Sequence, residues 1–238
     1  PHGTELGLGR LITKLAGISG LQRIRYTTSY PAEVDGDLIE AHATVPELMP
    51  YLHLPVQSGS DRVLQAMNRR HNIEAYRSLV DQLRHARSDI AFSSDFIVGF
   101  PGESDADFQS TLDLVDEIGF IGAYSFKYSA RPGTPAAVIP GQVPDKIKSD
   151  RLKTLQRKLT ASQAAFNSTT VGSKMPILLD GHGRYPGQLV GRSPYMQAVH
   201  VSAPTEQLGN IVNLRIEAAH PNSLAASYEG ETCRRAIT

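Results

Sequence analysis

The 238-residue sequence has one cysteine, Cys233, and no tryptophan. A single cysteine cannot close an internal disulfide, and by itself it cannot hold zinc or an iron–sulfur cluster. A disulfide scaffold and any cysteine-only metal site are therefore excluded. Net charge is also missing, since 24 basic side chains balance 24 acidic ones. Nucleic-acid binding must then rest on local basic patches and not on a global field. No apolar run approaches the roughly 18 residues of a membrane-spanning helix, so no membrane partner is expected and the protein is placed in the cytoplasm. The chain opens Pro-His-Gly-Thr, without Met and without a charged-then-apolar leader. The expectation is a piece of a longer protein, lacking a secretory signal. What is present is ordinary: 40% hydrophobic and 20% charged residues suit a folded chain of one or two domains.

Strand-like and helix-like runs alternate over the first two thirds of the chain. Strands are predicted at Gln22–Thr28, Tyr51–Gln57, Ile90–Gly99 and Ala123–Ser129, and helices at Asp37–Ala43, Ser60–Asn68, Asn72–Arg87 and Ser104–Ile118. Ile73, Tyr76, Val80 and Leu83 recur at three or four residues and define one apolar helix stripe; Phe108, Leu112, Val115 and Ile118 define another. Ser104 with Asp107 three residues later forms a variant capping box. This repetition predicts parallel βαβ units. Residues 132–145 read as a loop, and a basic helix follows over 144–167. Beyond it, short β-type runs broken by Gly, Pro and Asn predict a small antiparallel barrel, with the domain boundary near residue 170.

Strands covered by helices on both faces normally read as continuous apolar runs, and these four do not. With a period of two, one face carries Ile24, Leu52, Phe92, Phe96, Tyr124 and Phe126, among others. The opposite face carries Arg25, Thr27 and Ser29; His53 and Gln57; Ser93 and Asp95; Ser125 and Lys127. Buried polar groups without partners cost about 1–3 kcal/mol each, so a shared polar face suggests a ligand-lined lumen. A solvated face on an open sheet is the competing reading. Each strand also runs into small or turn-forming residues, where βα architectures place their sites. The stretch Gln57-Ser58-Gly59-Ser60 could cradle phosphate at a helix start, but it lacks the lysine and glycine pattern of a P-loop.

At these residues the sequence resembles the radical S-adenosylmethionine (SAM) methylthiotransferases. The likeness rests on RIRYTTSYP at 23–31, YLHLPVQSGSDRVLQAMNRRH at 51–71, DFIVGFPGES at 95–104 and YSFKYSARPGTPA at 124–136, in family order. VGRSPYMQAVHV at 190–201 resembles the family's TRAM domain, a small OB-like RNA-binding barrel. Tyr30 departs from the family, which usually shows His before the Pro. The resemblance implies an α/β fold: four of six strands of a partial parallel (βα) barrel over residues 1–170, then TRAM over 171–238. It also implies SAM as cofactor, with Gln57 and Asp95 on the ribose hydroxyls and Arg69 on the methionyl carboxylate. Those roles suit the residue types.

The family further carries a CxxxCxxC loop and an N-terminal domain with three more cysteines, holding two [4Fe–4S] clusters in all; neither is in this sequence. The chain is therefore expected to hold no metal and no catalytic residue of its own, and to be inactive alone. For the whole protein the resemblance implies methylthiolation of N(6)-dimethylallyladenosine at C2 beside the tRNA anticodon. Its partners would be the anticodon stem-loop and sulfur or iron–sulfur donor proteins, and it would be a monomer. Two other readings stay open: a sister enzyme acting on a ribosomal-protein Asp, and a non-catalytic RNA-binding remnant. His53 reads equally well as a core histidine, Lys127 and Arg131 as phosphate contacts or structural ion pairs, and Glu103 as a residue favoured at a helix start.

Overall fold

The computed structural model describes residues 7–28 and 30–229, so Ser29 and Cys233 fall outside it. The chain divides between Gln163 and Ala164 into two compact units.

The first unit opens with α1 (Leu8–Ala16), a helix the sequence pattern had not marked, and α2 (Gly36–Thr44). Asp35 caps α2 by accepting the Leu38 N–H at 2.9 Å. Ile12, Ile24, Leu38 and Leu48 close a small core between these elements. A parallel sheet follows in the order β1 (Tyr51–His53), β2 (Ala91–Val98), β3 (Gly122–Lys127). It is threaded by α3 (Asp61–Ala66), α4 (Ile73–Ala86) and α5 (Asp105–Ile118). The expected stripe of α4 is buried, and α5 carries the full Ser104–Asp107 capping box. Leu52, Leu54, Phe92, Phe96, Leu114 and Phe120 lie at the centre of the main core.

The structure changes the strand reading in three places. The strand expected over Tyr51–Gln57 is regular only over Tyr51–His53, and Gln57 returns as an isolated bridge to Phe96, not as a member of the polar-face row. Gln22–Thr28 is not a regular strand: only Ile24 bridges, in parallel, to Leu48. The ladder stops because Pro50 has no N–H and the Tyr51 N–H is taken by Met49 O at 2.8 Å, leaving the next rungs without donors. The sheet therefore has three regular strands where four were expected. The phase of β3 is also inverted. Partners in a parallel ladder share a face, and Asp95 pairs with Tyr124 and Ile97 with Phe126. The two aromatics thus stand on the face of Asp95, 67% and 55% exposed. Ser125 and Lys127 take the other face, where Lys127 Nζ meets Asp145 at 3.0 Å. The period of two gives the alternation, but neighbouring strands decide which phase faces the core.

Within the expected loop lies a short helix, α6 (Pro135–Val138), before the long α7 (Asp145–Thr169), along which the chain passes between units. The second unit is a closed barrel in the order β4 (Lys174–His182), β5 (Gln188–Arg192), β6 (Ala198–Ser202), β8 (Ser223–Ser227), β7 (Ile211–His220). Its pairs are antiparallel except β6–β8, which is parallel, so the barrel is mixed and not purely antiparallel. Ile177, Leu189, Val199, Leu214 and Leu224 fill it. Gly191 is required there, since a Cβ would lie 2.2 Å from Leu178 O.

Candidate functional site

The polar face of the sheet carries a connected set of side chains. Ser93 Oγ lies 2.7 Å from the Tyr51 hydroxyl and 2.8 Å from His53 Nδ1. On its other side His53 Nε2 lies 3.4 Å from Asp95 Oδ1, and its ring meets Tyr124 edge-on at 6.2 Å. Burial pushes the Tyr51 hydroxyl pKa up, partly offset by the Ser93 hydrogen bond. His53 is thus neither an isolated core histidine nor a free ligand group; it ties the two strands together and faces the Asp95 carboxylate.

Two of the three residues assigned to SAM come together. Gln57 donates its N–H to Asp95 O at 2.9 Å and accepts the Ile97 N–H at 2.9 Å. It is buried and holds φ at +75°, a left-handed conformation unusual for a residue other than glycine. Arg69 lies elsewhere, at the end of α3, with its guanidinium 5.9 Å from the Tyr30 ring centroid. Tyr30 OH accepts the Arg70 N–H at 2.6 Å, so the Tyr that departs from the family pattern steadies this turn. Arg69 opens into a cleft of about 720 Å³, lined by Met67, Ile97, Phe100, Phe126 and Arg131 among others. Gln57 and Asp95 do not line that cleft; Ile97, two residues beyond Asp95, does.

The surrounding loops are held by internal pairs. The N–H of Gly59 goes to Thr111 Oγ1 at 2.9 Å and that of Ser60 to Ser58 Oγ at 3.2 Å. A Cβ on Gly59 would sit 2.4 Å from Ser110 O. The Gly59 donor is spent on α5 and the Ser60 donor on Ser58, so Gln57–Ser60 is no phosphate cradle. Asp107 accepts from Arg62, Ser104 and Ser60. Burial alone would raise its pKa, but these hydrogen bonds outweigh it and hold the carboxyl well below the usual carboxylate range. Glu103 is buried, accepting the Gly99 N–H and Arg151 Nη1, each at 2.7 Å. Burial raises its pKa against the pull of those two partners. Glu103 and Lys127 are thus structural, as is much of the basic face of α7: Lys146 pairs with Asp150, Arg151 with Glu103 and Asp105, and Lys158 with Asp116.

In the barrel unit, Ser193 Oγ accepts the N–H groups of Tyr195 and Gln197, and Gln197 Nε2 donates to Asn167 at 2.8 Å. In the Gly-Arg-Ser stretch Ser193 therefore builds the turn, while Gly191 lies within β5.

Among the described residues no group of three or more His, Cys, Asp and Glu is placed to hold a metal ion, and no helix is long and apolar enough to cross a membrane. With a single cysteine, this chain does not supply the ligands of an iron–sulfur cluster. The residues do fit SAM: a partly exposed carboxylate beside Gln57 offers partners for vicinal hydroxyls, and Arg69 offers a fork for a carboxylate in the neighbouring cleft.

The profile of the Radical SAM superfamily matches residues 5–115, and that of the TRAM domain matches residues 168–228. The two matched segments follow one another along the chain, separated by residues 116–167. It is 54% identical over 234 residues, 97% of its length, to tRNA-2-methylthio-N(6)-dimethylallyladenosine synthase of Maricaulis maris (strain MCS10). It spans about half of that curated relative, 51% of its length. Among solved structures, coproporphyrinogen III oxidase from Escherichia coli, a radical SAM enzyme, aligns with a TM-score of 0.46 at 24% identity, covering 56% of this chain and 31% of that one.

Proposed function

We infer that this chain, a radical SAM segment followed by a TRAM domain, is part of a tRNA methylthiotransferase that modifies N(6)-dimethylallyladenosine beside the anticodon. The observation that carries the reading is the backbone hydrogen bond that sets Gln57, four residues past β1, against Asp95 in the middle of β2, inside a sequence 54% identical to the synthase from Maricaulis maris.

In this reading Gln57 and Asp95 hold the SAM ribose, and Arg69 holds the methionyl carboxylate. SAM supplies the methyl group and, when reduced by a cluster, a 5′-deoxyadenosyl radical. The residues of this chain bind and orient. His53, supported by Ser93 and Tyr51, holds the Asp95 carboxylate toward the open face, and the loop pinned by Glu103 and Arg151 shapes the neighbouring strand end. The iron–sulfur clusters and their ligands belong to the rest of the parent protein, as does contact with sulfur or cluster donor proteins. The barrel, over 171–238, serves the tRNA anticodon stem-loop, and the parent works as a cytoplasmic monomer.

Titration calorimetry with SAM tests the binding half of this reading. Asp95→Ala and Gln57→Ala are expected to weaken SAM binding by at least about tenfold, the loss of one well-formed hydrogen bond to a buried ligand. Unchanged affinity in both variants overturns it.

A further inference from the structure

We propose that Tyr124 and Phe126, with the apolar cleft that Phe126 borders, form the platform on which the target base stacks, and that the cleft receives its five-carbon N6 substituent. The proposal rests on the functional reading above and names the residues that select the substrate.

The register of the sheet carries it. Tyr124 and Phe126 stand opposite Asp95 and Ile97 on one face, at two successive outward positions of β3. Both rings are large, apolar and more than half exposed, while Phe92, Phe96 and Phe120 in the same unit are buried. Exposed aromatics adjacent on one sheet face are costly to leave in water, and they form the flat surface that a purine covers. Tyr124 is steadied by the edge of His53 at 6.2 Å, so the platform joins the group that orients Asp95.

The cleft extends this surface. Phe126, Ile97, Phe100 and Met67 give it apolar walls, and Arg131 places a cation in the lining. An apolar wall beside a stacking ring, with positive charge near it, matches a prenylated adenosine carrying flanking phosphates. A polar ligand such as an aspartate side chain would leave those walls uncovered. The volume of about 720 Å³ leaves room for the five-carbon tail as well as the SAM group assigned to Arg69.

The absence of tryptophan makes the test direct, because any introduced tryptophan is the only one in the chain. Phe126→Trp and Tyr124→Trp place that reporter on the platform; Tyr185→Trp, at an exposed position of the barrel unit, is the control. All three sites are exposed, so the substitutions are compatible with folding. N(6)-dimethylallyladenosine and adenosine are titrated as nucleosides into each variant of the 238-residue chain. The expected result is saturable quenching in the two platform variants, with half-saturation about tenfold lower for the prenylated nucleoside, and no saturable quenching in the control. The tenfold preference is a conservative share of what burying five carbons offers. Equal half-saturation for the two nucleosides, no quenching on the platform, or the same quenching in the control overturns the proposal. Calorimetry with SAM on the same proteins separates the two levels. SAM binding without nucleoside quenching defeats the platform and leaves the functional reading standing. Selective quenching without SAM binding supports the platform and defeats the SAM assignment.

Discussion

Gln57 donates its N–H to Asp95 O at 2.9 Å while holding φ at +75°. A left-handed backbone costs a residue with a Cβ about 1–2 kcal/mol, and strain of this kind persists where the surroundings hold it. Gln57→Gly removes that cost together with the side-chain amide. The variant is expected to melt at or above the temperature of the parent chain while losing SAM affinity by at least about tenfold, the trade-off of a strained functional position. A lowered melting temperature with SAM binding intact would refute the assignment.

Ser93 supports two ring-bearing partners with one hydroxyl. In Ser93→Ala the Tyr51 hydroxyl and His53 Nδ1 each lose a partner at a half-buried site. The expected cost is about 1–3 kcal/mol in denaturant unfolding, at an unchanged m-value. A loss below about 0.5 kcal/mol would show that the network is replaced by water.

Arg151 and Glu103 form a buried pair, with side chains 8% and 1% exposed. Removing one partner leaves a charge without compensation. Arg151→Ala is expected to destabilise the chain by about 3–5 kcal/mol, and Arg151→Met combined with Glu103→Leu to recover much of the loss. A double variant as unstable as the single one would mean that the pair is worth more than its hydrophobic replacement.

His42 is buried against the Tyr26 hydroxyl at 2.6 Å. Burial, together with the nearby Arg87 charge and against the pull of Asp89, lowers its pKa from 6.5 to about 4. Between those values the unfolded chain binds a proton that the folded chain does not, so folding stability is complete above pH 6.5 and declines toward pH 4. The contribution of this group is about 2–3 kcal/mol over that window, read from urea titrations at pH 7 and pH 4.5. His42→Phe should flatten the slope. An unchanged slope would place the pH dependence elsewhere.

Local signals were legible along the chain. The stripe of α4, the capping box of α5, the long helix ahead of the barrel and the one-cysteine limit on metal chemistry all follow from periodicity, cap chemistry and counting. The motifs carried the kinship as well, because glycines such as Gly59 and Gly191 stand where backbone or side-chain atoms fill the space of a Cβ. The pairing partners of a strand were not legible. Gln22–Thr28 has the composition of a strand, but Pro50 and the Met49–Tyr51 turn withhold the donors its ladder needs. The sequence marked α7 as basic; only the fold shows which of its cations are committed to Glu103, Asp105 and Asp116.

The sequence by itself determined that this chain does not supply the ligands of a cluster and that the strands around His53 and Asp95 alternate polar and apolar side chains, since these are matters of count and period. The tertiary structure decided that Gln57 and Asp95 share a backbone hydrogen bond, that Arg69 opens into a separate cleft, and that Tyr124 and Phe126 stand beside Asp95 and not in the core. The reason is register: a strand alternates its side chains by itself, but which alternate set meets the ligand depends on the neighbour it pairs with.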